Sequence, residues 1–444
     1  MKLQPYPRYI QTGLKWLPLA PETWKLFKVG RDADFSIGWT PPSDDDSNYG
    51  DDCPWVCIGD LSSKYLVTTS KGLSAKAMLQ KGATRLPIGT LLFSFKLTVG
   101  AVAFLSVPAV TNEAVAAFRP SAKIAPEFLY YAAPNFIPRY GRENIYGSLL
   151  LNDELIRSAR TFVPHLDDQL RIGAFLDRET ARIDALIEKK TRFIELLREK
   201  RQALITHAVT RGLDSNASFT DSGVDWLGAI PWQWRVSPLK YLVSFQSGGT
   251  PSKDERAFWD GAIPWASAKD LKVDRLEDTQ DHLTQHALDA GAASLVPAES
   301  VLVVVRGMIL ARTFPVTIAA TPMAINQDLK ALVATDRLNA GFLAYLLRGT
   351  ASLSLARLEE AAHGTKALRM EAWTDIKLPV PPLHEQVEIV KRLDAGLRGL
   401  EDIAGKTMQT IDLLRERRAA LITAAVTGQI DVRAEQPDST LEPT

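Results

Sequence analysis

Thr12–Trp24 reads TGLKWLPLAPETW, and Ser222–Trp234 reads SGVDWLGAIPWQW. Trp16 matches Trp226, Pro21 matches Pro231, and Trp24 matches Trp234, all at one offset. The offset carries Thr40-Pro41 onto Thr250-Pro251, Pro54-Trp55 onto Pro264-Trp265, and Asp60-Leu61 onto Asp270-Leu271. It also carries the apolar run Leu91-Leu92-Phe93 onto Val301-Leu302-Val303. The offset then drifts by a few positions, so that Asn112 meets Asn326 and Phe128-Leu129 meets Phe342-Leu343. After a further small drift, Val163–Asp214 matches Val380–Asp431 without a gap. Chance similarity of amphipathic helices could produce the last match but not the Trp and Pro matches. The chain is an internal duplication, and a repeat has to be found before any fold is assigned.

Each copy opens with about 150 residues, the size of one ordinary domain. Short apolar runs there, such as Leu91–Phe95 and Val301–Val305, are separated by Gly and Pro and read as buried strands. Pro126–Ala133 and Ala340–Arg348 read as short helices, so the fold class is α+β. Each copy closes with a long heptad-patterned helix. In copy one the seam is Leu176, Ile183, Ile187, Ile194, Leu197 and Leu204; in copy two it is Leu393, Leu397, Leu400, Ile411, Leu414 and Leu421. Polar seam members fall in register, Lys190 with Thr407 and Arg201 with Arg418, the kind of residue that fixes pairing at some cost in stability. Proline introduces each helix (Pro164; Pro381-Pro382), and Gly212 and Gly428 mark the stops. The expected organisation is a first globular domain at 1–162, a first spacer helix at 163–212 and a linker at 213–223. A second domain at 224–379, a second helix at 380–431 and a disordered tail at 432–444 complete it. The two helices are expected to pair as an antiparallel coiled coil, giving a pseudo-twofold repeat.

Composition limits the function classes. The 444 residues are 46% hydrophobic and 23% charged, and 52 basic residues balance 52 acidic ones. Global disorder is excluded, because neither low hydrophobicity nor high net charge is present. Cys53 and Cys57 cannot form a disulfide scaffold or complete a four-ligand zinc site. No signal-peptide h-region and no apolar run of about 20 residues occurs, so the expectation is a soluble, cytoplasmic protein with no membrane role.

Catalytic signatures are missing. There is no phosphate loop, no dinucleotide fingerprint, no H-E-x-x-H, no nucleophile elbow and no Asn-Pro-Pro-aromatic tetrad of amino-methyltransferases. His282 and His286 would share a face if their segment were helical, but no third ligand accompanies them. The acidic run Asp44-Asp45-Asp46 with Asp51-Asp52 lies among Pro, Ser, Asn and Gly and reads as a solvated loop. No metal site, no catalytic residue and no cofactor of its own is expected.

The seam from Leu176 to Leu204 spans roughly 43 Å at about 1.5 Å per residue. That is roughly 13 base pairs of B-DNA, a little over one turn. Two globular readers joined by such helices could read two short half-sites across a gap. A two-headed coiled-coil adaptor without nucleic-acid recognition would show the same organisation.

At this point the residues carry a resemblance. SGGTPSKDERAFWDGAIPWASAKDL (Ser247–Leu271), AINQDLKAL (Ala324–Leu332), LPVPPLHEQVEIVKRL (Leu378–Leu393) and ERRAALITAAVTGQID (Glu416–Asp431) resemble the specificity subunits of type I restriction-modification systems. LLFSFKLTVGAVAF (Leu91–Phe104) and LLREKRQALITHAVTRGLD (Leu196–Asp214) do so in copy one, and the resemblance runs from about Tyr9 to Asp431. Thr40–Asp52, TPPSDDDSNYGDD, departs from the family's Gly-Thr-Pro plus basic pattern. The resemblance implies two target-recognition domains, a coiled-coil spacer and an asymmetric bipartite double-stranded DNA target. It also implies two modification subunits, which carry S-adenosylmethionine, and two restriction (motor-nuclease) subunits, which use ATP and Mg. The chain itself would be non-catalytic; its partners would extrude and methylate an adenine in each half-site.

Reading DNA needs side chains at base edges and cations at phosphates. The candidates in copy one are Lys64, Lys71, Lys76, Arg85, Lys96 and Ser148. Those in copy two are Lys253, Arg256, Lys269, Lys272, Arg306, Arg312, Asn326, Gln327, Thr365 and Lys366. Gly147-Ser148 and Gly364-Thr365 match across the copies and allow close approach to phosphate. Asn326-Gln327 offers amides for adenine, or else a buried turn amide, since Asn112-Glu113 matches it.

Overall fold

The computed structural model describes residues 4–143, 147, 149–214, 216–360 and 364–433. By its internal contacts the chain divides into two units, residues up to 189 together with those from 409 onward, and residues 190–408. Each unit therefore holds one globular domain and half of each long helix.

In the first unit a five-stranded sheet runs in the order Phe35–Ile37, Val115–Phe118, Leu91–Ser94, Val102–Leu105, Tyr65–Leu66. All neighbours are antiparallel except the last pair. The second unit repeats it as Val243–Ser247, Leu329–Ala334, Val301–Val304, Val316–Ala319, Arg275–Leu276, again with only the last pair parallel. The central strands Leu91–Ser94 and Val301–Val304 are buried at every residue, which is why they read as unbroken apolar runs. One face is covered by the helices Pro126–Phe136 and Ala340–Gly349. Phe128, Phe136 and Trp24 anchor one core, Phe342, Trp373 and Trp234 the other.

A smaller sheet accompanies each large one. Val110–Thr111, Tyr49–Val56 and Lys71–Leu73 form it in the first unit. Asp281–Leu283, Trp259–Ala266, Met323–Ile325 and Leu295–Val296 form it in the second. Both long strands carry a bulge at the same place, between Tyr49 and Cys53 and between Trp259 and Ile263. Bulges that recur at equivalent positions belong to the design of the sheet.

The long helices are Leu166–Arg211 and Leu383–Val426, 46 and 44 residues. In the first unit the early half of one runs with the late half of the other, and Arg418 pairs with Asp184 at 2.9 Å. The second unit has the same arrangement, with Arg201 pairing with Glu401 at 3.5 Å. Leu176, Ile183, Ile194, Leu197, Leu393, Leu397 and Ile411 are buried; Ile187, Leu400, Leu414 and Leu421 are half-buried. Leu204 is a correction. It is exposed, and its neighbour Ile205 is fully buried against the second domain. There the helix also packs on the second domain, and Val209 and Ile205 lie close against Gly349, where an added Cβ would be 2.8 Å from Val209 Cγ2.

Three further readings change. Within the linker 213–223, Phe219–Asp221 is a strand paired with Ala229–Pro231, and Arg211 lies over the Phe219 ring. The tail does not begin at residue 432: Asp431 bridges Gln4, Val432 is buried, and Arg433 pairs with Asp431 at 2.6 Å. Residues 434–444 lie outside the described residues. His282 and His286 do not share a helix; His282 sits in the strand Asp281–Leu283 and bonds Asp278 at 2.7 Å.

Candidate nucleic-acid interface

The exposed basic candidates cluster around the smaller sheets. In each unit a tight turn leads from the large sheet to the small one, through Gly38 or Gly248. A Cβ at either would lie within about 2 Å of a backbone carbonyl, Thr111 O or Ile325 O. An indole then locks the turn from the next strand: Trp55 Nε1 donates to Trp39 O at 3.2 Å, and Trp265 Nε1 donates to Gly249 O at 3.0 Å. The framework beneath the two surfaces is thus the same, bond for bond.

The surfaces differ. In the second unit Lys253 and Arg256 precede the strand Trp259–Ala266, and Lys269 and Lys272 follow it. Lys253, Arg256 and Lys272 are exposed and have no ion-pair partner among the described residues. Lys269 pairs with Asp281 at 2.7 Å, and that hydrogen bond pushes its pKa up. In the first unit the position of Arg256 is taken by Asp46, and the loop is acidic. Its aspartates hold the neighbouring cations. Asp45 accepts from Ser47 and from Lys76 at 3.2 Å, bonds that keep its carboxyl below the usual range; Arg85 donates to Asp52 O. Lys71, opposite Trp55 in the sheet, is exposed and has no ion-pair partner among the described residues.

A second group lies at the far end of the large sheets. Arg306 pairs with Asp328 at 2.7 Å, Lys366 with Glu360 at 2.9 Å, and Arg306 bridges Ala367. Thr365 is half-exposed beside them, and Arg312 is exposed after the short helix Met308–Ala311. Lys96 reaches Glu113 at 4.0 Å at the matching place in copy one. Exposed pairs of this kind are worth about 0–1 kcal/mol, so their cations can be surrendered to phosphate. Ser148 lies outside the described residues.

Two candidates are reassigned. Asn326 is buried, and its Oδ1 accepts from Asp328 N–H at 3.1 Å; Asn112 closes the same turn with Ala114 N–H at 3.1 Å. It is the buried turn amide, and only Gln327 next to it is exposed, bonded to Thr250. Lys64 is turned inward. Its ammonium pairs with Asp177 of the first long helix and lies 5.1–5.9 Å from the ring centroids of Tyr65, Phe104, Tyr130 and Tyr131.

The residues that hold each domain on the helices were missed from sequence. Gln169, buried, donates to Pro164 O and Lys123 O and accepts from Ala125 N–H. Gln386 repeats all three bonds with Pro381, Arg337 and Asn339. Tyr131 Oη donates to Asp177 at 2.6 Å, and Tyr345 Oη donates to Asp394 at 2.6 Å. Burial first, then the adjacent carboxylate, pushes both phenols well above the ordinary tyrosine value. Identity of these pairs across the duplication was the available signal.

No helix among the described residues is long and apolar enough to cross a membrane, and no group of three metal-ligating side chains occurs among them. The sequence profile of the type I restriction modification DNA specificity domain matches residues 21–196 and 231–411. The specificity subunit of the Escherichia coli type I restriction enzyme EcoR124I/EcoR124II is 29% identical over 182 residues, 41% of this chain and 43% of that protein. The chain thus spans less than half the length of that curated relative. Among solved structures, a chain from work on complex assembly and conformational transition of the type I R-M system superposes with a TM-score of 0.71. It is 16% identical and covers 93% of this chain and 99% of its own length. The HsdS subunit from Thermoanaerobacter tengcongensis gives 0.52 at 16% identity, covering 93% and 98%. At such identity these structures speak for the fold. With two profile matches spread over most of its length, one per repeat, the chain belongs to the family of type I restriction-modification DNA specificity domains.

Proposed function

We propose that this chain is the non-catalytic specificity subunit of a type I restriction-modification complex, and that each domain reads one half of an asymmetric, bipartite DNA target. The observation that carries this reading is the contrast between the smaller sheets. One framework, locked by the same turn and the same indole bond, carries the run Asp44-Asp45-Asp46 on its loop in one unit and a loop of mixed charge, with exposed Lys253 and Arg256, in the other. Two readers of one build with different charged groups on the matched loop favour two different half-sites. Lys253, Arg256 and Lys272, and Lys71 with Lys76 and Arg85, are the proposed phosphate and base contacts. The long helices are the proposed spacer.

Methylation and cleavage would come from partners. S-adenosylmethionine would be held by two modification subunits, and ATP and Mg by two restriction subunits. Exposed leucines and isoleucine on the helices support a docking surface present twice. Leu186 and Leu413 are exposed in the first unit, and their matched positions, Ile403 and Leu196, are exposed in the second. Apolar groups left in water at matched places suit one partner bound in two copies.

The test is single-molecule methylation sequencing of DNA from cells expressing this chain with its modification subunit. The expected result is one two-part motif carrying N6-methyladenine on both strands across a fixed gap. A stable complex that leaves no methylated motif would favour the adaptor reading.

A further inference from the structure

We propose that Lys64 and Asp274 are positioning residues: each fixes the rotation of its domain on the long helices and thereby restricts the gap allowed between half-sites. This rests on the bipartite reading above.

In the first unit the domain helix Pro126–Phe136 is held at both ends. Gln169 binds Ala125 N–H, just before its start, and Thr423 Oγ1 donates to Asn135 Oδ1 at 3.0 Å, near its end. In the second unit Gln386 binds Asn339, just before Ala340–Gly349, and Thr206 Oγ1 donates to Gly349 O at 2.9 Å. These two points lie along the domain helix, and contacts off that axis resist rotation about it: Trp234 Nε1 donates to Glu385 and Tyr9 Oη to Gly428 O, and one more point comes from the edge of the large sheet.

Lys64 and Asp274 supply that point. They occupy matched positions, and their carbonyls accept matched bonds from the large sheet: Phe104 N–H at 2.7 Å and Ile318 N–H at 3.0 Å. From that sheet edge Lys64 reaches Asp177 on the first long helix. Asp274 reaches Arg201 on the same helix at 3.1 Å and the domain's own Arg348 at 3.0 Å, and Arg201 continues to Glu401 on the second helix at 3.5 Å. The sign of the charge is reversed between the copies, and the helix half reached is the one after the domain in the first unit and the one before it in the second, yet each sheet edge is tied to a long helix. Preservation of the link through a charge reversal is unexpected for ordinary surface charge.

The two links differ in stiffness. Around Lys64 four aromatic rings fill the junction. Around Asp274 there is a cavity of about 220 Å³ bordered by Tyr345, Asp394 and Glu401. Charges in a wetter site are screened more by salt, so the second domain is the one whose rotation should loosen first.

Gap selectivity is the readout, because a purely structural role would lower methylation at every gap alike. Once the wild-type motif is known, plasmids carrying it with the gap shortened or lengthened by one base pair are methylated in cells. The chain with its modification subunit is compared as wild type, Lys64→Met, Lys64→Arg and Arg201→Gln. The expected result for Lys64→Met and Arg201→Gln is a rise of about tenfold in off-gap relative to on-gap methylation, with Lys64→Arg near wild type. Should Lys64→Met fail to fold, as judged by its melting curve, Arg201→Gln decides. Unchanged selectivity, or a uniform loss at all gaps, overturns the positioning role and leaves the bipartite reading standing. A wild-type complex with no two-part motif overturns both.

Discussion

Trp24 and Trp234 show what one methylene does. Trp234 Nε1 donates to Glu385 at 2.9 Å. At the matched place in the first unit stands Asp168, and the buried Trp24 Nε1 has no hydrogen-bond partner among the described residues. Asp168→Glu should reach the indole and stabilise the protein by about 1 kcal/mol, read as a melting temperature raised by about 2–4 °C; a fall would show that the shorter side chain is needed. Asp32 offers a test against pH. Burial pushes its carboxyl up, but hydrogen bonds from Arg31, Lys123 and Lys28 N–H outweigh this and hold it far below the usual carboxylate range. A depressed folded pKa adds stability that is complete above the unfolded value, about 4, and is lost as pH falls through the folded one. Asp32→Asn should therefore lower the melting temperature at pH 7, with a deficit that shrinks steadily below about pH 4; a deficit independent of pH would contradict the assignment. Neither feature was legible in the sequence, because the first depends on side-chain reach and the second on Lys123, from a distant segment, joining the neighbouring Arg31 and Lys28.

At the scale of elements the sequence was more informative. Proline before and glycine after each long helix mark ends within a few residues of Leu166–Arg211 and Leu383–Val426. Buried strands such as Val301–Val304 were legible because their neighbours cover both faces, leaving no alternation to obscure them. The seam failed only at Leu204. A heptad repeat describes helix against helix, and there the helix also packs on a globular domain. Ile205→Ala should cost about 2–4 kcal/mol and Leu204→Ala under about 0.5 kcal/mol, measured by urea unfolding; equal costs would restore the heptad assignment. Among interface candidates, charge and exposure were readable, but burial was not. Lys64 and Asn326 look like their neighbours in a string of letters, and only packing separates a contact residue from a clamp or a turn.

For the whole molecule, the duplication makes a stoichiometric prediction. Leu413→Glu should remove one docked modification subunit and Leu196→Glu the other, so native mass spectrometry should show one copy on each variant and none on the double variant. Two copies retained on both would move the docking surface off the helices. The contact between Gln4 and Asp431 has a further consequence. At the matched place in the second unit, Asp214 is followed by continuous chain into the next repeat. A domain thus follows the end of a long helix at both junctions, through continuous chain after Asp214 and through the backbone bridge between Asp431 and Gln4. A permuted chain that starts near Asn216 and joins Arg433 to Gln4 through a short Gly-Ser bridge should fold, melt near the parent temperature and methylate the same motif. Order of translation would then be irrelevant to which half of the target is read by which domain.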